Sequence, residues 1–257
     1  MDALISYVQG RLKDSGLRYV EVRPVNEDFG KVLAARGFQP AGSYFLHLMD
    51  LRPKLDELFR SFDKDCVQRR IRRAEKAGLV EQTGTSDRLL VEFYKLFSVT
   101  RKRHNLPPPP YLWFQNLARS LGKSLEIRLA SKDERPIAAI LTMRSGNVGY
   151  FKYGCSDARF HKLGATPWLL WKAIAAAKSD GALAFDMGRT QDDNAGLVAF
   201  KSHWVRRHQR LLYWRYPNAG SLDSAEGWKL RMAKRIFASM PERLLTATGS
   251  AIYRHIG

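Results

Sequence analysis

The sequence predicts a mixed α/β protein in which a layer of strands and helices occurs twice. After residue 122, apolar patterns follow the order β-β-β-α-β-α-β, and before it they follow a looser β-α-β-α-β-α order. A chain of 257 residues with 45% hydrophobic residues is long enough for one large domain or two ordinary ones. We place the boundary at Gly122 and predict two domains, residues 1–122 and 123–257, each built from stacked α/β layers.

The first domain opens with an amphipathic helix whose apolar residues lie on one side: Leu4, Ile5, Val8 and Leu12. Alternating or short apolar runs predict strands at residues 17–23, 43–51 and 79–82. Helical apolar spacing predicts helices at residues 29–36, 55–62, 69–77, 87–105 and 111–121. Gly37 and Gly78 suit the left-handed conformation that ends a helix, and Asp87 is the predicted cap of the helix at 87–105.

The second domain has a clearer pattern. Strands are predicted at residues 124–130, 136–144 and 148–153, joined by turns at 132–135 and 145–147. A helix over 166–179 has Pro167 in its first turn and Gly181 after its end. A strand at 183–187, a short helix at 195–204 and a strand at 209–216 follow. We expect a basic helix from Ala225 and a short helix after Pro241.

The charge of the chain is unusual, and it points to a class of partner. Forty-three Lys and Arg against 25 Asp and Glu give a net charge of +18. Such a field attracts nucleic acid, anionic lipid or phosphorylated substrates, whereas the alternative is a feature that serves solubility. No apolar run approaches the length of a membrane span, and the first residues lack the pattern of a secretion signal. Two widely separated cysteines predict reduced thiols in a cytoplasmic protein, and no metal site is predicted.

Residues 150–204 contain the predicted catalytic region. A strand, a glycine-containing loop, a helix, a second strand ending in DMGR and the pair Phe200-Lys201 follow one another, which places polar groups at the carboxyl end of a sheet. Lys201 follows an aromatic residue in an apolar segment, so it could be held beside a developing oxyanion. An ordinary surface lysine is the alternative. Asp186 could orient an acceptor amine and Arg189 could bind a carboxylate or phosphate, or the two could form an internal pair that holds the loop.

Cations crowd the helix at residues 69–77. Arg69, Arg72 and Arg73 share one face with Lys76, and only Glu75 offsets them, which predicts a strip that binds phosphates. A solvated helix face is the alternative. Residues 206–210 form a second basic block. The helix around Trp228 and Met232 also carries cations, so it could lie on anionic lipid or pack on the domain.

The layout resembles the GCN5-related acetyltransferase fold in its duplicated form, with a shortened first copy. It is most similar to the Fem family, whose members add amino acids to peptidoglycan precursors. The basic helix at 69–78, residues 153–156 with the helix that follows, and residues 185–188 with Phe200-Lys201 carry the resemblance. The coiled-coil arm of some Fem enzymes is not visible in the sequence.

The resemblance implies roles for individual residues. Lys201 would stabilise the charge that develops during direct transfer, without a covalent intermediate. The substrate would be bound by the following residues: Asp186, Arg189, Phe200, Tyr153, Arg69, Arg72 and Arg73. Gly164 and Ala165 stand where this fold places a pyrophosphate loop, with a partial match to its motif. The resemblance implies acyl-CoA or aminoacyl-tRNA as co-substrate and no tightly bound cofactor.

We therefore expect an acyl- or aminoacyltransferase that acts on an amine or hydroxyl of a cell-envelope or polysaccharide precursor. Its partners would be a phosphate-bearing acceptor, tRNA in the aminoacyl case, and the anionic inner face of the membrane as a peripheral contact. The alternative is a non-catalytic basic module that binds RNA or anionic membrane on a decayed acetyltransferase fold.

Overall fold

The computed structural model describes residues 2–217 and 235–253. The helices in chain order are α1 (Asp2–Asp14), α2 (Phe29–Ala35), α3 (Leu55–Ser61), α4 (Arg69–Lys76), α5 (Asp87–Arg103), α6 (Tyr111–Leu121), α7 (Ala165–Ser179), α8 (Ala195–Ser202) and α9 (Glu242–Ile252). The strands are β1 (Val20–Val22), β2 (Gln39–Asp50), β3 (Val80–Gly84), β4 (Leu125–Lys132), β5 (Arg135–Ser145), β6 (Val148–Ser156), β7 (Ala184–Gln191) and β8 (Gln209–Tyr216). Helices and strands therefore occur in the predicted order.

The chain forms two compact units, each assembled from separated segments. Among the described residues, the smaller unit contains 2–47, 189–202 and 206–217, and the larger contains 48–188, 203–205 and 235–253. Gly122 lies inside the larger unit, because α5 and α6 before it pack on β4 after it. The division into domains 1–122 and 123–257 stays a prediction, since the units of the structure use other segments.

The larger unit contains a mixed sheet. Strands β3, β4, β5 and β6 pair antiparallel in sequence order, and β6 then pairs parallel with β7. Lys132 pairs with Arg135 across a two-residue turn in which Asp133 and Glu134 have φ of 48° and 63°. Two left-handed residues give the turn a twist that suits a hairpin, as the sequence predicted for 132–135. The mixed α/β prediction is confirmed.

An aromatic cluster packs against one face of this sheet. Phe93 and Phe97 of α5 and Phe114 of α6 lie within 5.2–5.6 Å of one another, measured between ring centroids. On the strand side they meet Leu141 and Ala139 of β5. Because β5 is buried on both faces, its apolar run is continuous rather than alternating.

The smaller unit contains a three-stranded antiparallel arrangement in which β8 pairs with both β1 and β2. Leu33 and Phe38 pack beside Ile5 of α1 and Trp214 of β8 and form the core of this unit. Ile5 and Leu12 of the predicted apolar face are buried, whereas Leu4 is 60% exposed. The amphipathic prediction for α1 therefore holds for part of that face.

The cap of α5 differs from the predicted one, and part of the predicted C-terminal basic helix lies outside the described residues. Ser86, not Asp87, caps α5, because the Ser86 hydroxyl accepts the Leu89 amide at 3.4 Å while Asp87 already belongs to the helix. In the predicted basic C-terminal helix, residues 235–239 are helical. Trp228, Met232 and the lysines and arginine between 229 and 234 lie outside the described residues.

The last helix packs on the proline run. Arg101 donates to the Pro107 carbonyl at 2.9 Å, and the Tyr94 hydroxyl donates to the Pro109 carbonyl at 3.0 Å, which holds the run in place. A Cβ on Gly249 of α9 would overlap the Pro108 carbonyl oxygen. A glycine inside a helix is unfavourable in itself, so here close packing explains it.

We expect Gly249→Ala to lower the free energy of unfolding by about 1–3 kcal/mol, because the added methyl group forces α9 away from the prolines. Gly10→Ala is the matched control, since its position inside α1 has open space, and it should stabilise the protein by up to about 1 kcal/mol. Urea unfolding of both variants measures the difference. A Gly249→Ala protein as stable as the wild type would contradict the packing.

Candidate active site

Lys201 is buried in the smaller unit. It lies in the last turn of α8, which begins where the Asn194 side chain accepts the Leu197 amide at 3.2 Å. The lysine is 4% exposed, and its Nζ donates to the Arg189 carbonyl at 3.3 Å. The carboxyl end of a helix favours a cation. Lys201 is therefore held in place and is not an ordinary surface lysine.

A histidine that sequence reasoning did not select lies beside this lysine. His47 of β2 is 0% exposed, its Nε2 lies 3.4 Å from the Ser202 hydroxyl, and its ring centroid lies 5.0 Å from that of His208. Burial, and after it the nearby charges of His208 and Lys201, lower the pKa of His47 to about 4. The imidazole is thus neutral at neutral pH. His47 could have been found from the sequence as a polar residue at an inward-facing position of a strand that alternates between buried and exposed residues.

Arg189 connects Lys201 to a tyrosine pair. Its Nη1 donates to the Tyr213 hydroxyl at 2.8 Å while its carbonyl accepts from Lys201. Tyr213 stacks on Tyr44 at 4.1 Å between ring centroids, and Arg23 lies over the Tyr213 ring at 4.9 Å. The structure therefore brings together two predicted site residues, Lys201 and Arg189, within a layer of aromatic rings and guanidinium groups. Phe200, next to Lys201 on α8, is half-buried.

In the larger unit, β6 and β7 pair over a short distance. Their parallel register joins Val148 to Ala184 and ends with Tyr150 and Asp186, and in the described strands it includes three pairs. β6 nevertheless continues to Ser156. Ligands in open α/β sheets collect at the carboxyl ends of parallel strands, so the later part of β6 is a candidate binding edge.

Two predicted substrate residues lie on these strands. The Asp186 carboxylate accepts the Gly188 amide at 2.6 Å, and Gly188 has a φ of 79°, so this contact stabilises a left-handed turn inside β7. Tyr153 lies on the later part of β6, and its ring packs against Phe97 and Phe114 at 5.4 and 5.3 Å. Their substrate-binding roles stay predictions.

The turn before α7 has a packing reason for its glycine. Gly164 has a φ of 77°, and a Cβ there would overlap the Arg70 carbonyl oxygen of α4. Ala165 is buried, and Pro167 offers no amide hydrogen in the first turn of α7. As a backbone cradle for a diphosphate, this helix start is therefore incomplete, and the cofactor-binding roles of Gly164 and Ala165 stay predictions.

Cations surround the same turn. Arg73 donates to the Lys162 carbonyl at 3.1 Å, and Arg103 donates to the Ser156 carbonyl at 2.9 Å. Burial lowers the pKa of His161, and the charges of Arg103 and Arg70 lower it further. We call Arg70, Arg73, Arg103 and Lys162 the turn cluster. Its positive potential suits a phosphate group.

The predicted common face of α4 separates into three directions. Arg73 reaches the turn, whereas the Arg72 guanidinium lies over the Phe59 ring at 5.6 Å. Arg69 forms an ion pair with Asp65 at 2.8 Å in which both side chains are mostly exposed. The phosphate-binding roles of Arg69, Arg72 and Arg73 stay predictions. The structure adds Arg70 and Arg103 as cations near the same turn.

The described ranges contain neither a metal-binding group nor a membrane-spanning helix. No group of three His, Cys, Asp or Glu side chains there has metal-binding geometry. Within 2–217 and 235–253, no helix is both long and apolar enough to span a membrane.

Sequence comparison identifies the family. Residues 64–215, more than half of the chain, match the acetyltransferase (GNAT) domain, and this range includes α4, the turn cluster and Lys201. The chain belongs to the GNAT acetyltransferase family. It is accordingly an acyltransferase, and the predicted resemblance is confirmed. Among curated proteins, none matches the GNAT chain significantly.

Solved structures share the fold of this GNAT protein. FemX is 16% identical with a TM-score of 0.67, and the alignment covers 84% of this chain and 76% of FemX. The C-terminal domain of a putative lysylphosphatidylglycerol synthetase from Agrobacterium fabrum is 13% identical with a TM-score of 0.62, covering 89% and 76%. A tandem GNAT protein from the clavulanic acid biosynthesis pathway is 11% identical with a TM-score of 0.54, covering 83% and 68%. These likenesses confirm the predicted fold class.

We expect His47→Gln to make the protein less sensitive to acid. A histidine whose folded pKa is about 4, against 6.5 in the unfolded chain, binds its proton preferentially in the unfolded state. Stability therefore falls as the pH drops from about 6.5 to about 4, by up to roughly 3 kcal/mol from this group. Glutamine places an amide near the Nε2 position and cannot titrate. Urea unfolding at pH 7 and at pH 4.5 measures the loss of stability for each protein.

The wild type is the reference, since it keeps the imidazole at position 47. If His47→Gln loses as much stability between the two pH values as the wild type does, His47 is not the acid-sensitive group.

Proposed function

We propose that the protein transfers an acyl or aminoacyl group to an amine or hydroxyl of a phosphate-bearing cell-envelope or polysaccharide precursor. The observation that supports this most is the buried Lys201, which the Arg189 carbonyl holds beside a neutral imidazole. The acceptor lone pair attacks the acyl carbonyl carbon and forms a tetrahedral oxyanion. The bond to the donor sulfur or oxygen then breaks, and the acceptor proton leaves to the departing group or to solvent.

In this proposal Lys201 stabilises the oxyanion. A fixed cation near the developing charge lowers the barrier by a few kcal/mol, because it needs no reorganisation when the reaction occurs. His47 is neutral, so it adds no competing positive charge beside the lysine. Phe200 and Arg189 of the smaller unit are proposed to bind the acceptor beside Lys201, and orientation of the acceptor is the main contribution expected of them. Tyr153 and Asp186 of the larger unit stay predicted substrate contacts.

The phosphate groups of the substrates would bind in the larger unit. Arg69, Arg72 and Arg73 on α4 are the proposed contacts, and the turn cluster extends them with Arg70 and Arg103. GNAT domains use acyl-CoA as co-substrate. If CoA binds here, Gly164 and Ala165 would shape the turn but supply few backbone N–H donors. Side-chain cations would therefore neutralise the diphosphate.

An aminoacyl-tRNA donor and a lipid-linked acceptor are the finer alternatives within the same proposal. Likeness in fold to FemX and to a putative lysylphosphatidylglycerol synthetase supports them. The net charge of +18 supports contact with tRNA or with an anionic surface. We propose a cytoplasmic location, with peripheral contact at the inner face of the membrane.

The expected non-catalytic alternative does not agree with membership of the GNAT acetyltransferase family. Binding of RNA or of an anionic membrane beside catalysis is the second candidate function, and the turn cluster favours it because its cations suit any phosphate group. Thermal protection by CoA, with turnover, would support the transferase. Protection by any RNA, with steep salt dependence, would support RNA binding as the second function.

We expect Lys201→Met to lower kcat by about 10²–10³-fold, because methionine fills the buried space without a charge. The assay measures CoA thiol release from acyl-CoA with a panel of phosphate-bearing amines and alcohols, and aminoacyl transfer from charged tRNA with the same acceptors. Lys123→Met, at an exposed position in the larger unit, is the matched control and should keep the wild-type rate. Unchanged turnover in a folded Lys201→Met protein would contradict the assigned role.

A further inference from the structure

A cleft in the larger unit has features that the proposed transfer step does not use. It lies among α3, α4 and α7 and has a volume of about 450 Å³. Six residues line it: Asp56, Phe59, Arg60, Arg72, Glu75 and Trp171. Its volume is that of a small-molecule site, roughly 300–1,000 Å³, but the cleft is shallow and open to solvent, so it would cover one face of a ligand.

Two aromatic rings form the walls of this cleft. The Phe59 and Trp171 centroids are 5.4 Å apart, with their planes inclined by 56°, and both side chains are half-buried. Phe62, which is 1% exposed, packs edge-on against Trp171 at 5.6 Å. The rings are therefore supported from the core while part of their surface remains open, which suits stacking by a flat ligand.

Charged groups at the rim of the cleft add both hydrogen-bond donors and hydrogen-bond acceptors. Arg72 lies over the Phe59 ring, and Arg60 is held at the rim because its Nε donates to the Asp56 carbonyl at 3.1 Å. The Asp56 and Glu75 carboxylates can accept from an amino group on a ring edge. A ligand that matches this cleft has a flat ring with hydrogen-bond donors and carries negative charge.

The two arginines that line the cleft show where the negative charge would lie. Arg60 of α3 and Arg72 of α4 both belong to its lining, whereas Arg73 points away to the Lys162 carbonyl. A phosphate attached to a ring in the cleft would thus meet two guanidinium groups at the rim. Arginine binds phosphate oxygens in pairs, which fixes the orientation of the ligand as well as its charge.

We propose that this cleft binds one nucleotide, with its base stacked on Trp171 and its phosphate at Arg60 and Arg72. Stacking of a base on an aromatic side chain contributes about 1–3 kcal/mol. The nucleotide could belong to CoA or to the end of an RNA donor, and both present the same chemistry. The biological purpose of the site rests on the proposed function, but binding is measurable without turnover.

The experiment is isothermal titration of the full chain with three probes: adenosine 3′,5′-bisphosphate, CoA and a short single-stranded RNA. Trp171→Ala should weaken binding of the recognised probe about tenfold or more, which corresponds to the loss of about 1.4 kcal/mol of stacking. Trp171→Phe keeps the packing against Phe62 and should lose part of the affinity. Arg72→Met should weaken binding and also reduce its dependence on salt.

Trp113→Ala is the control, because Trp113 on α6 is 49% exposed and lies outside the cleft. It should bind as the wild type does. Binding of the bisphosphate and CoA identifies CoA as the source of the nucleotide, whereas binding of RNA alone identifies an RNA donor. Either result supports the site when Trp171→Ala and Arg72→Met weaken it. If no probe binds the wild type, or if Trp171→Phe and Arg72→Met bind as tightly as Trp113→Ala, the proposal is wrong.

Lys201→Met separates this proposal from the proposed function. A Lys201→Met protein that binds nucleotide normally but does not turn over supports both. Normal turnover in Lys201→Met with cleft-dependent nucleotide binding removes the assigned role of Lys201 and leaves the cleft intact. If Lys201→Met loses turnover but the cleft variants bind nucleotide as the wild type does, only the cleft proposal is wrong.

Discussion

The close approach of α4 to the start of α7 is the contact on which the larger unit depends. Only a residue without a Cβ fits at Gly164, because the Arg70 carbonyl occupies that space. This contact holds the basic helix against the turn, so Arg73 reaches Lys162 and the turn cluster forms. It also sets the separation of α4 and α7, which with α3 line the aromatic cleft. A larger side chain at 164 would disturb both features at once.

A second constraint acts in the smaller unit, where positive and titratable groups are buried together. Burying an ammonium group is costly unless its donors are satisfied. The Arg189 carbonyl and the carboxyl end of α8 offset part of this cost for Lys201. The imidazole of His47 adds no second buried charge, because its lowered pKa keeps it neutral. Protein stability and the proposed chemistry therefore depend on the same buried groups.

The candidate site could be predicted in part. Lys201 stood out because a lysine after an aromatic residue in an apolar segment is unusual, and the cation-rich helix was visible as a local excess of charge. His47 and Trp171 could not be selected, since each acquires its meaning from residues more than 90 positions away, such as Ser202 and Phe59. The alternative in which Asp186 and Arg189 form an internal pair was reasonable from their spacing. In the structure each has another partner, Gly188 for Asp186 and Tyr213 for Arg189.

Local patterns in the chain were enough to specify the kinds and order of the elements, because the apolar period and the turn chemistry at Asp133 and Glu134 act over a few residues. The composition likewise specified a strongly basic protein. Packing over long distances along the chain determined the rest. It assembled each compact unit from separated segments, directed Arg69, Arg72 and Arg73 to different partners, and buried Lys201 beside His47. Burial and through-space charge depend on neighbours that sequence spacing does not specify, which is why these features emerged from the three-dimensional arrangement.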